Sequence, residues 1–166
     1  MIEIEGKLEP DDYVKAQFLH IRPGRVWQIV GVLLIFVILW GLWLGWSNPT
    51  AKHDWFDYVA LGGVLYVPGF FFLFIPWNAR RIFRQQKSMQ RAFTMRFDSN
   101  GYYAKNETTE SSTPWSDFAK WKENKHLFLI YISDPLFIFL PKRLFATGDA
   151  DRFRELITEQ IGKPFH

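Results

Sequence analysis

Two apolar runs, residues 26–46 and 58–79, divided by a short polar loop at 47–57, constrain this chain more than any other feature. The first run reads VWQIVGVLLIFVILWGLWLGW and holds no charged residue. As a helix rising about 1.5 Å per residue it reaches roughly 31 Å, the thickness of a bilayer's hydrocarbon layer. Its thirteen Val, Leu, Ile and Phe residues favour insertion by about 0.3–0.6 kcal/mol each, against small penalties from Gln28 and three glycines. A soluble helix alternates apolar and polar faces; this one is apolar all round. The expectation is a transmembrane helical hairpin over residues 26–79.

The second run, YVALGGVLYVPGFFFLFIPWNA, is interrupted by Pro68-Gly69. Proline has no N–H to offer the carbonyl of Val64, so a kinked span is expected there. A re-entrant loop turning at Pro-Gly is the competing reading, but it places the basic residues after the run on the same side as the polar loop. That conflicts with the gathering of Lys and Arg on one side of a membrane, because the loop carries only Lys52. Trp27, Trp46, Trp55, Tyr58 and Trp77 mark the expected headgroup interfaces, where a ring with one polar edge is at home. Gly41 and Gly45 form a G-x-x-x-G pair, and Gly62 and Gly63 are adjacent in the second run. Such glycines allow close helix approach, either between the two spans or in self-association.

Charge is distributed unevenly. Residues 80–91 hold five basic residues (Arg80, Arg81, Arg84, Lys87 and Arg91) and no acid, while residues 92–166 hold ten of each sign. The net charge of +3 is therefore concentrated where the chain leaves the second run. Nucleic-acid binding calls for basic charge on the folded domain itself, so anionic lipid headgroups are the expected partner instead. On one continuous helix, Arg80, Arg84, Lys87 and Arg91 share a face, with Ile82, Met89 and Phe93 opposite. A topology signal with a solvated face is the other reading of this segment. The same asymmetry places both termini in the cytoplasm.

Outside the hairpin the patterns are those of a small α+β domain. Ile2, Ile4 and Leu8 alternate with charged residues, which suggests a strand. That strand either joins the sheet of the later segment as an edge, or lies on the bilayer or stays disordered. Asp11 and Asp12 open a helix in which Val14, Phe18 and Ile21 recur. From Phe93 onward FTMRFD, YYAKN, AKWKENK, HLFLIYI and LFIFL read as strands of an antiparallel meander. ETTESS reads as a polar loop. HLFLIYI is apolar at nearly every position, the pattern of a strand covered on both faces. DADRFRELITEQI closes the chain as an amphipathic helix capped by Thr147 or Asp149. The organisation is then residues 1–25 as a strand and helix packed on the soluble part, 26–79 as the hairpin, 80–91 as a basic juxtamembrane helix and 92–166 as a cytoplasmic domain.

The order of DDYVKAQFLHIRP, two spans, a basic RR, a hairpin at SNG, PWSDFAKWKE and FLPKRLFATGDADRFRELI resembles the YcxB-like family of small bacterial membrane proteins. Trp115-Ser116-Asp117 and Pro141-Lys142-Arg143-Leu144-Phe145 carry most of the likeness. The resemblance implies a bacterial plasma membrane and a PH-like β-barrel or sheet of roughly seven strands with a C-terminal helix. It also implies that Trp115, Lys142 and Arg143 are candidates for a surface of that domain. It implies no activity.

Catalytic constellations are not evident. His20, His53, His126 and His166 fall in separate segments, and the absence of cysteine (Cys 0) removes thiolate ligands and nucleophiles. His20 reads as a packing residue at the membrane boundary, and His53, Asp54 and Asp57 as a solvated loop. Asn106-Glu107-Thr108 fits a glycosylation pattern but falls on the expected cytoplasmic side. No phosphate-binding glycine loop appears, and no cofactor is expected. Three function classes remain. The first is a membrane-tethered module binding a protein, a second copy or a lipid headgroup. The second is an accessory subunit of a larger membrane complex, and the third an enzyme with an unrecognised site. The expectation is the first, a protein that is not an enzyme.

Overall fold

The computed structural model describes residues 1–22, 24–47, 55–106 and 110–165. Most of the polar loop, with His53 and Asp54, lies outside the described residues, as do Glu107 and Thr108 of the glycosylation pattern. In chain order the elements are β1 (Ile2–Gly6), α1 (Pro10–Ile21), α2 (Arg25–Ser47), α3 (Trp55–Gly69), a π-helical turn (Phe70–Phe74) and α4 (Ile75–Gln85). Then follow β2 (Phe93–Phe97), β3 (Gly101–Asn106), β4 (Glu110–Pro114), β5 (Lys120–Glu123), β6 (Leu127–Tyr131), β7 (Phe137–Pro141) and α5 (Asp149–Ile161). The chain forms two compact units, one of Met1–Ile21 with Asn78–His166 and one of Arg22–Trp77.

The first unit is α+β. Its strands make two antiparallel sheets, one in the order β1-β2-β3-β4 and one in the order β5-β6-β7. The seven strands therefore form two open sheets, not the closed barrel among the expectations. β1 is an edge strand on β2, with Ile2 opposite Phe97 and Ile4 opposite Met95. The alternation of its sequence explains the placement: Ile2 and Ile4 are buried in the core while Glu3 and Glu5 face out. β4 begins within ETTESS, which by composition is expected to be a loop. Its residues ESSTP are mostly exposed and carry no apolar alternation, because an edge strand needs little beyond its backbone pairing with β3. Gly101 permits that pairing, since a Cβ there would lie 2.5 Å from the Thr113 carbonyl oxygen.

β6 is buried at all five positions because it lies between two cores. Phe128 and Ile130 point into a cluster with Ile2, Ile4, Met95 and Phe97 of the larger sheet, Trp121 of β5, and Phe153 and Ile157 of α5. Leu127, Leu129 and Tyr131 point the other way, into a cluster with Ala16 and Leu19 of α1, Leu8, Phe83 of α4 and Phe139 of β7. Successive side chains of a strand alternate in direction, so an uninterrupted apolar run serves both sides at once. α1 covers the second face with Ala16 and Leu19, while Ile21, expected on its apolar stripe, is 40% exposed. The helix opens with Glu9 at its N-cap, and the Asp12 carboxylate turns back to accept the Glu9 backbone N–H at 3.0 Å. This is the returning half of a capping box. α5 begins after Gly148 (φ 87°) with no side-chain cap, so neither Thr147 nor Asp149 has the capping role expected of it. Gly162 (φ 104°) ends it in a backbone conformation that L side chains rarely adopt.

The second unit consists of the two apolar helices. The most apolar 18-residue window of Gln28–Ser47 has a mean hydropathy of 2.4 with none of it buried, and that of the continuous helical stretch Asp57–Gln85, which runs on into the first unit, has 2.0 with 6% buried. Both are long and apolar enough to cross a membrane. The chain does not reverse at Pro68-Gly69: Gly69 keeps right-handed helical angles (φ −57°, ψ −45°) and a π turn follows. Its hydrogen bond runs from the Ile75 N–H to the Phe70 carbonyl. One extra residue in the turn resets the ladder beside the missing proline donor, so the helix absorbs the defect.

Candidate functional site

The basic segment does not form the single helical face that its spacing suggests. α4 stops at Gln85, Lys87–Gln90 is a short 3₁₀ turn, and Arg91 has extended angles (φ −83°, ψ 154°). Arg80 and Arg84 remain one turn apart on α4, while Lys87 and Arg91 belong to the connection into β2. The Gln90 side chain explains the stop: its Nε2 donates to the Phe83 and Arg84 carbonyls at 3.0 and 3.1 Å, capping orphan acceptors of the last turn. The inward face also differs from expectation, because Ala79 and Phe83 are buried whereas Ile82 and Met89 are only half-buried. Arg80 meets Asp11 of α1 at 3.0 Å, with both side chains about half exposed (48% and 62%). An exposed pair of this kind contributes about 0–1 kcal/mol and leaves the guanidinium open to a stronger anion. Arg81, Arg84 and Lys87 are exposed on the same stretch.

The family-like motif residues are largely structural. Trp115 is 5% exposed, and its ring N–H donates to the Asp98 carbonyl at 2.8 Å. Asp98 in turn accepts the Asn100 and Gly101 N–H groups at 2.7 and 3.1 Å, closing the SNG turn. Lys142 pairs with Glu123 at 3.1 Å and lies 4.5 Å from the Phe128 ring centroid. Arg143 reaches Asp12 at 2.6 Å, the Lys7 carbonyl at 3.0 Å and Glu9 at 3.2 Å. The hydrogen bond and charge of Asp12 hold the Arg143 guanidinium above its usual range. Asp12 is 3% exposed, and its partner lies in the PKRLF motif. Buried Trp115 and these inward-committed cations do not compose the free surface suggested for them; they fasten the N-terminal segment and the strand turns.

His20 is a packing residue, as its isolation in the sequence suggests. Its ring lies 4.9 Å from Phe137, and its Nδ1 meets the Tyr131 hydroxyl at 3.2 Å. Burial, with Lys122 and Lys120 nearby, pushes its pKa below the usual 6.5, and Asp134 opposes this.

The outer face of the larger sheet holds a groove of about 720 Å³. Register sets its lining in two rows: Glu3, Arg96, Tyr103 and Ser112, then Glu5, Thr94, Lys105 and Glu110. Arg96 pairs with Glu3 at 2.9 Å and Lys105 with Glu110 at 3.8 Å. Both central bases thus have acids at the sheet edges, which makes a mixed-charge lattice with a half-exposed tyrosine. Periodicity predicted that Glu3 and Glu5 face out, but not the groove, whose far wall is the unforeseen β4. No group of three or more potential metal-ligating residues occurs among the described residues.

A family model for the YcxB-like protein matches residues 97–157. That stretch of the chain is similar to the YcxB-like family. The match runs from the last residue of β2 through β3–β7 into α5, so β1, α1 and most of β2 complete the domain's sheet and second core from outside the matched stretch. No curated protein and no solved structure matches the chain.

In the helical unit, Trp46, Trp55, Tyr58 and Trp77 are all more than half exposed. The Trp27 side chain lies outside the described residues. A Cβ added at Gly41, Gly45, Gly62 or Gly63 would meet no atom within 4 Å, so these glycines are not points of close approach between α2 and α3.

Proposed function

We propose that this protein is a membrane-anchored interaction module: α2 and the α3–α4 helix cross the bacterial plasma membrane, and a PH-like α+β domain on the cytoplasmic side engages a protein or lipid headgroup. One observation carries the reading. α2 exposes apolar side chains on every side, among them Val32, Leu33, Leu34, Phe36 and Val37, each at least 57% accessible. In water that surface costs about 25 cal/mol per Å², whereas hydrocarbon removes the cost. Further support comes from the arrangement of a four-stranded and a three-stranded antiparallel sheet with one C-terminal helix. The crowding of Arg80, Arg81, Arg84, Lys87 and Arg91 after the second helix supports an inward-facing domain in contact with anionic headgroups.

A second reading, an accessory subunit of a larger membrane complex, draws on four glycines where, among the described residues, an added Cβ would meet nothing within 4 Å. Small residues of this kind suit close contact with another helix. Alkaline carbonate washing of membranes tests the anchored reading that both share. The protein stays in the pellet and leaves only with detergent; release by carbonate alone overturns it.

A further inference from the structure

We propose that the end of the three-stranded sheet beside the C-terminus of α1 is a lipid-contact surface, in which Ile21, Leu136 and Phe165 enter the headgroup layer and Lys120 and Lys122 bind its anionic groups. The inference rests on the membrane-anchored reading and adds to it a surface separate from the basic segment after α4.

Contacts bring these residues to one place. His20 packs on Phe137 at 4.9 Å and meets the Tyr131 hydroxyl at 3.2 Å, which fastens the last turn of α1 to the β6–β7 hairpin. Ile21 is the next residue on α1, and Leu136 precedes Phe137 at the hairpin turn, held there by its N–H to the Ser133 carbonyl at 3.1 Å. Lys120 of β5 sits 5.3 Å from the Tyr131 ring centroid and forms an ion pair with Asp134 of the same turn. The Phe165 N–H donates to the Trp121 carbonyl at 2.8 Å, which places its ring 5.0 Å from the Lys120 ammonium and 5.3 Å from that of Lys122.

Exposure singles the place out. Among the described residues of the α+β unit, the exposed large apolar side chains are Met1, Ile21, Tyr103, Leu136 and Phe165. Met1 and Tyr103 line the groove of the larger sheet; the other three are here, 40%, 56% and 54% accessible. Apolar side chains beside lysines on long apolar stems suit an interface that is wet and anionic above and hydrocarbon below.

Connectivity selects a membrane as the occupant. α1 ends at Ile21 and α2 begins at Arg25. The three residues between them, four Cα–Cα steps, span at most about 14 Å, so a bilayer that holds α2 has its headgroup layer within reach of Ile21. Lys120 and Lys122 supply the charge that anionic lipid attracts, and Asp134 offsets part of that of Lys120.

The test uses the full-length protein in nanodiscs of phosphatidylcholine with or without phosphatidylglycerol. An environment-sensitive fluorophore is attached to a single cysteine at Leu136→Cys, at Asn100→Cys in the β2–β3 turn, or at Leu34→Cys in α2. Lipids carrying a quencher at the headgroup or along the chain report contact. The expected result is headgroup-level quenching at position 136, strengthened by phosphatidylglycerol, and none at position 100. Lys120→Gln with Lys122→Gln lowers the preference for phosphatidylglycerol by roughly fivefold, less than the ~30-fold of two lysines fully committed to lipid, because Asp134 shares Lys120 and Lys122 has a partner within the protein. A label at position 34 that is quenched along the chain while position 136 is not overturns this inference and leaves the anchored reading standing. A label at position 34 that lipid never quenches overturns both.

Discussion

Arg143 and Asp12, 131 residues apart in sequence, meet at 2.6 Å across a carboxylate that is almost wholly buried. Between them in the chain lies the entire apolar hairpin. The same guanidinium holds the Lys7 carbonyl, and the same carboxylate caps α1, so one contact seats the strand-to-helix corner of the N-terminal segment on the turn after β7. The α+β unit is a single fold whose chain leaves after α1 and returns with α4.

Removing the cation strands the anion. Arg143→Ala is expected to destabilise the unit by about 3 kcal/mol, the lower end for a broken buried pair because the guanidinium itself is partly in water. Asp12→Ala loses the cap but leaves a cation that can turn to solvent, so its cost is smaller. A double-mutant cycle on thermal or urea unfolding measures the coupling; additive single effects would show that the pair is not a unit.

β1 is expected to be as much a part of the fold as any strand inside the matched stretch. Ile4 is 1% exposed in the main core, so Ile4→Ala costs about 2–4 kcal/mol. The amides of β1 bonded to β2 should exchange as slowly as those of β2 and β3. Exchange at the rate of an unfolded peptide would contradict the pairing.

How much of this was legible in the sequence differs by element. Ile2 and Ile4 against Glu3 and Glu5 announced β1, and LFLIY announced a strand with two covered faces, because burial writes itself into apolar periodicity. α5 reads directly from Phe153 and Ile157 on one stripe. β4 was not legible: ESSTP is bound through its backbone at an edge and needs no apolar signature. The end of α4 at Gln85 was invisible for another reason, since Gln90 caps it from beyond the helix and no glycine or proline marks the stop. The roles of Arg143 and Trp115 depend on Asp12 and Asp98, partners that no local spacing reveals. The same lack of local signal hid the groove between β1 and β4.

His20 gives the unit a pH dependence of known sign. Its pKa is lowered in the folded protein, with Tyr131, Phe137, Lys120, Lys122 and Asp134 around it. The unfolded chain therefore binds the proton more readily, and stability present above the ordinary value of about 6.5 declines as pH falls through it towards the lowered value. His20→Gln should flatten the melting temperature between about pH 7 and 5 relative to the parent. An unchanged slope in that window would assign the dependence to other groups.

In the proposed topology the hairpin crosses the bilayer twice and both halves of the α+β unit lie on the same, inner side. The chain has no cysteine (Cys 0), so single cysteines at Glu3, Asn48 and Ser99 can be probed without background by a membrane-impermeant maleimide on intact cells. Labelling is expected at Asn48→Cys alone, with Glu3→Cys and Ser99→Cys reacting only after the membrane is opened. Labelling of Glu3→Cys or Ser99→Cys from outside, or protection of Asn48→Cys together with the other two, would contradict it.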